Sequence, residues 1–520
     1  MRRLSACGLI LLGEWLLTTS SVAYASGHFL SNLPRDEDIV TVSGAQIAGL
    51  LGQPVSDITV FRYDGPTNSF VPIPFQVDQR VDHVFNPGTP NAVTETMYDV
   101  FGEDDGILDA NDEVAFLFGD GGAQALTTTP WPAGSTPQRA ETAVTDPRPD
   151  VGTTKFAYLF AGGDLAHSPS SYVTWDGGEY SSIQTGLFAL DFTGRWLLTG
   201  LRVLPPCGTG ADLVDRVKGR AGANPQLGET EETWNGTSWY LGGIAGPIRA
   251  IRYVQGAASG VNTVHHDVVS RSRWKRQVNL RVHPLTQVWL YFDLRPNSGA
   301  TLFTAATPTG LPVDGVVDPT APKPLQSWML LRSSQGGFVT LPNVPPSPYY
   351  NTAESYIVDN AAYNDAPPVG VYPDDDNSAY GNHGITLKSL VGNETTTIPM
   401  TLNMYPLCSD LGDAALGAAY LQLTAYPLFG NTVPQWTVGG PVRTVECEVE
   451  GVDVVLDWDA LPGVTGYKVY VALSPSLIHP SWIPIGQTAS THFHDENAAA
   501  DEQSRYYSIR SVTPVGEGPW

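Results

Sequence analysis

The chain has 520 residues, with 53 acidic against 28 basic side chains and a net charge of −25. That surplus disfavours nucleic acid and anionic membrane as partners; it suits a salty or calcium-rich exterior, although solubility alone would also account for it. With 53 glycines, 42 prolines, abundant Thr, Val and Tyr and no long apolar pattern at helical spacing, the composition predicts many short strands joined by turns.

Arg2 and Arg3 precede an apolar run from Leu4 to Leu17 that leads into Ala23-Tyr24-Ala25. This is the pattern of a signal peptide over residues 1–25, with cleavage after Ala25. The "LSAC" at 4–7 has the form of a lipidation box, but it lies ahead of the apolar run that should precede such a box, so a lipoprotein is not expected. Removing the leader leaves 26 basic and 52 acidic residues, a net charge of −26. No later stretch approaches the roughly 18 apolar residues that a membrane span requires, so no transmembrane segment is expected in the mature chain. The expected location is secreted, extracellular or periplasmic.

Residues 26–126 are read as an N-terminal β domain. In "VPIPFQVDQRV", Val71, Ile73, Phe75, Val77 and Val81 share one face, and Pro72 and Pro74 place its first half at a sheet edge. Further on comes "EDDGILDANDEVAFLFGD", 103–120. Like charges this close repel, and a divalent ion would relieve them; water screening alone is the alternative. With Gly106 at the turn, Glu103, Asp105, Asp109 and Asp112 take ligand-bearing places, and the stretch partly resembles a dockerin-type calcium loop. It departs from that pattern at Phe101, where the first ligand should stand, and in running into a buried strand instead of a helix. The resemblance implies calcium as a cofactor at a simpler turn site. A second acidic run, Asp374 to Asn377, reads as a solvated loop tip.

Residues 127–150, rich in Pro, Thr and Ala and without periodicity, are expected to be a surface loop or linker. The flanking "VAFLFGDGG" and "FAYLFAGGD" look alike, as buried strands leaving through glycines do. Residues 151–440 carry strand-like segments without a clear break and predict one large central β domain, with two packed sheets. Within it, "NTVHHDVVSRSRWKRQVNLRVHP" concentrates cations in an otherwise acidic chain. Val278, Leu280 and Val282 alternate with Gln277, Asn279, Arg281 and His283, leaving a row of donors on one face. Arg249, Arg252, His265, Trp274, Arg281 and His283 are therefore candidate ligand-binding residues for a polysaccharide or cell-surface glycan. Uronates are favoured because their carboxylates pair with Arg. The competing expectation is that these charges neutralise nearby acids, or form the wet face of an antiparallel sheet. His265 and His266 cannot both point to one side of a strand.

Cys207, Cys408 and Cys447 sit in no metal or haem spacing, and allow one disulfide and one free thiol in three pairings. From 443 to 520 the pattern changes. Trp458, Tyr467, Tyr470, the pair Tyr506 and Tyr507, and the closing "GEGP" stand in an order and spacing that resemble a fibronectin type III domain. An inward Trp with alternating Tyr and Val suits the space between two small sheets. The family would continue into a seventh strand where the chain stops at Trp520, so that strand is expected to be missing.

The expected fold is thus mainly β and multidomain: antiparallel β-sandwiches with a C-terminal fibronectin type III-like sandwich. No GxSxG, HExxH, GxxxxGK[ST] or GxGxxG spacing is present. The leading expectation is a secreted protein that binds extracellular glycan or serves a surface or structural role. The alternative is a polysaccharide-degrading lyase or glycoside hydrolase acting through the central domain, whose size favours it.

Overall fold

A computed structural model describes residues 33–517 except 127–128, 137, 149–150, 223–227, 259, 283, 297–298, 363–378, 409–412, 437–444, 462–463, 475–481, 501–502 and 514–515. The expected signal peptide and the Asp374–Asn377 run therefore lie outside the described residues. The architecture is mainly β, with antiparallel pairing throughout the named strands.

The N-terminal unit packs two sheets around Val42, Ile58, Val60, Val114, Phe116 and Leu159. One holds Ile39–Ser43, Glu113–Leu117 and Phe75–Asp78. The other runs in the order Phe429–Trp436, Gln138–Thr145, Thr154–Ala161, Ile58–Asp64, Ser69–Pro72. Pro72 lies on an edge strand, as its missing donor requires. The look-alike segments occupy the two different sheets and share one core.

Two expectations give way here. The 127–150 stretch is not a continuous loop, because Gln138–Thr145 pairs on both sides, with Thr154–Ala161 and with Phe429–Trp436. Its inward residues, Ala140 and Val144, are too small or too few to show an apolar alternation. The N-terminal unit also recruits Phe429–Trp436, a segment that the strand pattern of residues 151–440 predicts as the end of the central domain.

The central unit is a large sandwich. One layer is a nine-stranded sheet that includes Arg249–Ala257, Gly260–Ser270, Arg273–Leu280 and Ile398–Leu407 as neighbours. Facing it are a four-stranded sheet ending in Leu198–Val203 and a five-stranded sheet built on Val214–Gly222, Leu285–Leu294, Ala379–Leu390 and Thr352–Asn360. Between the layers lie Trp196, Leu201, Val217, Trp274, Val278, Leu290, Phe292, Phe338 and Ile385, among others. A disulfide joins Cys207 to Cys408, which leaves Cys447 free and exposed.

The outer face of the nine-stranded sheet is not open either. The hairpin Arg80–Phe85/Val93–Tyr98 packs Phe85 and Met97 onto Ile251, Tyr253, Val264 and Val268. Beyond it, helix Ala414–Ala425, capped at its start by the Asp413 carboxylate, packs Leu416 against Trp328, Leu330, Val339 and Leu341.

The C-terminal residues form a fibronectin-type β-sandwich. One sheet is Val445–Glu450, Asp453–Trp458 and His492–Asp495; the other is Ile483–Thr488, Gly466–Ala472, Tyr506–Thr513 and Gly516–Glu517. Trp458, Tyr467, Val469 and Ile509 fill the space between them, with the Trp458 and Tyr467 rings edge to face at 5.2 Å. Gly516–Glu517 begins a seventh strand against Tyr506–Thr513, so the strand expected to be missing has at least its start.

Candidate functional site

The cationic segment is brought together by the nine-stranded sheet, but as an internal interface. Arg249 lies against the N-terminal unit, its guanidinium 2.7 Å from Asp78 Oδ2 and 2.8 Å from Glu113 Oε2. Arg281 donates to Glu95 Oε2 at 2.7 Å, to the Asn262 carbonyl at 2.9 Å and to Thr397 Oγ1 at 2.9 Å. Asn279 beside it donates to the same Glu95 carboxylate. The row of donors thus faces the chain's own hairpin. Of the competing expectations, neutralisation by nearby acids describes this face; an open platform or a wet face does not.

Arg252, His265 and Trp274 point the other way, into the sandwich. There Asp267, fully buried, accepts from Arg276 Nε at 2.7 Å, Arg276 Nη2 at 3.1 Å and Trp274 Nε1 at 2.9 Å. Arg252 stands 3.4 Å from the same carboxylate and also donates to the carbonyls of Gly194 and Arg195. Burial raises the Asp267 carboxyl, but the Arg276 charge and its hydrogen bonds outweigh that and hold it well below the ordinary carboxylate range. His265 packs against the Trp196 ring at 4.0 Å, and neither of its ring nitrogens has a hydrogen-bond partner among the described residues. Trp274 is 1% exposed and offers no stacking surface to a ligand. His283 lies outside the described residues.

The acidic turn regroups differently from the expected ligand set. Asp104, Asp105 and Asp109 bring carboxylate oxygens within 4.8 Å of one another. Glu103 turns away to His83 at 3.3 Å. Asp112 is buried and accepts the backbone N–H groups of Asp109 and Arg80, at 2.7 and 3.0 Å, so it braces the turn from below. Burial raises the Asp104 carboxyl, with Asp105 and Asp109 adding to the rise. An all-oxygen set of this kind suits a hard cation such as calcium and does not suit zinc.

A concave site that the sequence reading did not find lies on the outer face of the five-stranded sheet. On Leu285–Leu294, Val288, Leu290 and Phe292 enter the core, so Gln287, Trp289 and Tyr291 point outward. The neighbouring strands add Arg220, Glu354, Tyr356, Thr386 and Lys388, and the loop Asp318–Lys323 forms a rim. The resulting cleft encloses about 430 Å³. Trp289 and Tyr291 make its floor, 6% and 2% exposed, while the half-buried Tyr356 ring lies 4.6 Å from Tyr291.

Its cations are Arg220, ion-paired with Glu231; Lys388, 2.5 Å from Glu354; and Lys323, exposed and without an ion pair among the described residues. Asp318 on the rim is raised by burial first and then by the Asp359 and Asp314 carboxylates. The signal in the sequence was present in "QVWLYFDL", where Gln, Trp, Tyr and Asp alternate with Val, Leu, Phe and Leu. The aromatic residues hid it by making both faces read as apolar.

No family model and no curated protein matches the chain. Among solved structures, the chain is similar to the chicken CNTN1 FN1-FN3 domains at 11% identity, over 47% of this chain and 94% of that one, with a TM-score of 0.13. A superposition that poor has no bearing on the site.

Proposed function

We propose that this is an exported glycan-binding protein whose ligand lies in the cleft on the outer face of the five-stranded sheet. The observation that supports this reading is the half-buried Tyr356 ring, backed by the covered Tyr291, together with Arg220, Lys323 and Lys388 around a 430 Å³ concavity. Sugar rings present C–H faces to aromatic rings, and uronate carboxylates accept charge-assisted hydrogen bonds from Arg and Lys. Binding of uronate-rich polysaccharide by the purified mature protein, measured by affinity electrophoresis, is expected to exceed binding of neutral polysaccharide. Tyr356→Ala and Lys323→Ala are each expected to weaken it about tenfold, the loss of about 1.4 kcal/mol. Equal binding by wild type and both variants would remove the cleft from consideration.

A second reading, catalysis in the same cleft, is favoured by Asp318. A carboxyl held protonated to higher pH by burial and by neighbouring carboxylates is what a general acid for glycosidic cleavage requires. The same incubations separate the two readings. Shortened chains that disappear with Asp318→Asn mean hydrolase or lyase chemistry; unchanged chain lengths mean binding alone.

Calcium at Asp104, Asp105 and Asp109 is a further part of the proposal. The melting temperature in calcium is expected to exceed that in chelator by roughly 2–4 °C, the shift that about 1 kcal/mol produces in a domain of 150–250 residues. Asp105→Asn should abolish the difference. Identical melting of the wild type in both conditions would exclude calcium at this turn.

A further inference from the structure

The two bodies that cover the outer face of the nine-stranded sheet do not meet edge to edge. A groove of about 420 Å³ remains between the N-terminal unit and the end of the helix that finishes at Ala425. Ile39 and Thr41 line it from one side, Leu423, Thr424, Pro427 and Leu428 from the other, and Ser270, Arg273, Asn403 and Tyr405 from the sheet below. The register explains the polar floor. Trp274 pairs with Met404 and Lys275 with Asn403, so Arg273, Lys275, Asn403 and Tyr405 emerge together on the outer face while Trp274 and Met404 fill the core.

What sets the groove apart is its charge balance. Elsewhere on this face the buried Arg249 meets Asp78 and Glu113, the buried Arg281 meets Glu95, and the half-buried Arg271 meets Glu37. The side chains of Arg273 and Lys275, both half-buried, make no ion pair or hydrogen bond among the described residues. The acid in the groove, Asp38, is bound to Arg35 at 2.6 Å and feels the Arg273 charge only through space. Burial also lowers the Lys275 ammonium, and the Arg273 charge adds to that. The Asn403 amide and the Tyr405 hydroxyl likewise have no hydrogen-bond partner among the described residues. In a chain of net charge −25, two adjacent half-buried cations that no described acid meets in a salt bridge are a departure that an anion would complete.

We propose that this groove binds an amphiphilic carboxylate. The carboxylate sits at Arg273 with Asn403 and Tyr405 as further donors, and the apolar body lies along Ile39, Leu423, Pro427 and Leu428. Arg273 offers the planar fork that matches a carboxylate, and Lys275 adds charge behind it. The site is separate from the cleft on the opposite layer and does not depend on the reading of that cleft.

Calorimetric titration of the full mature chain tests this with hexanoate and N-acetyl-leucine, which separate an aliphatic acid from a peptide carboxyl terminus, and with hexanol and inorganic phosphate as controls. Saturable binding of either acid, weakened about tenfold or more by Arg273→Gln and by Asn403→Leu, is expected. Because Arg273 makes no salt bridge among the described residues and Asp38 keeps its Arg35 partner, Arg273→Gln should melt within about 2 °C of the wild type, so lost binding cannot be put down to unfolding. Hexanol binding as well as hexanoate, phosphate binding as well as either acid, or no saturable binding of the two acids would each overturn the proposal.

Discussion

Replacing Asp267 by Asn will destabilise the central sandwich by roughly 3–5 kcal/mol, the usual cost of removing one partner from a buried charge cluster. Asp267, Arg252 and Arg276 are all fully buried, and the carboxylate is the acid that both guanidiniums share. Arg276 contacts it through two nitrogens and Trp274 through its indole N–H. An amide keeps the shape but leaves two cations in the core, and one of its atoms would present N–H donors to groups that are themselves donors. Denaturant unfolding monitored by tryptophan fluorescence measures the loss directly. Glu354→Gln, which breaks the partly exposed pair with Lys388, should cost under about 1 kcal/mol and serves as the control. A cost below about 1 kcal/mol for Asp267→Asn as well would mean that the cluster is hydrated or rearranged in solution.

This cluster also shows where sequence reading reaches and where it stops. The alternation in "HHDVVSRSRWKRQVNL" was legible, and it correctly separates His265 from His266 across the sheet. What alternation cannot convey is what covers each face. Arg281 and Glu95 are separated by 186 residues and Arg249 and Asp78 by 171, so their pairing exists only once the hairpin has docked. The same gap explains the strand at Gln138–Thr145, whose partner Phe429–Trp436 lies nearly 300 positions later in the chain. The C-terminal sandwich was legible because its signal is local: Trp458, Tyr467 and Tyr470 stand on strands that are consecutive in sequence and pack on one another. The cleft was missed for a third reason. Tyr291 and Trp289 are outward-facing yet nearly covered, so their hydrophobicity serves the floor of a concavity and reads in sequence as core.

Lowering the pH from about 6.5 to about 4.5 will remove several kcal/mol of stability through His265, His266 and His383. All three are buried without charge. Burial is the main cause in each case: it pulls His266 down to about 3 and His383 to about 4, and together with the Arg276 charge it sets His265 well below the ordinary value. A base whose pKa is depressed by folding takes up its proton first in the unfolded chain. Its contribution is therefore complete above about pH 6.5 and shrinks as the pH falls toward the folded value, by up to about 1.4 kcal/mol per pH unit for each residue. Buried carboxyls whose pKa is raised act in the opposite sense. Asp38, Asp78 and Asp112, all raised chiefly by burial, bind protons in the folded state before the unfolded one and offset part of the loss as the pH falls. Asp267 shifts the other way from them and adds its loss only below about pH 4. A single substitution isolates the contribution of one histidine. His383 stacks on Phe292 and Phe338 at 5.2 and 5.6 Å and bonds through Nδ1 to the Gly381 carbonyl at 2.8 Å. His383→Phe keeps the stacking and removes the titration. Stability measured by denaturant unfolding at half-unit steps should fall less steeply in this variant, by about 1.4 kcal/mol per pH unit, whatever its offset at neutral pH. Parallel curves for variant and wild type would mean that His383 is reached by water and titrates in the folded protein as it does in the unfolded chain.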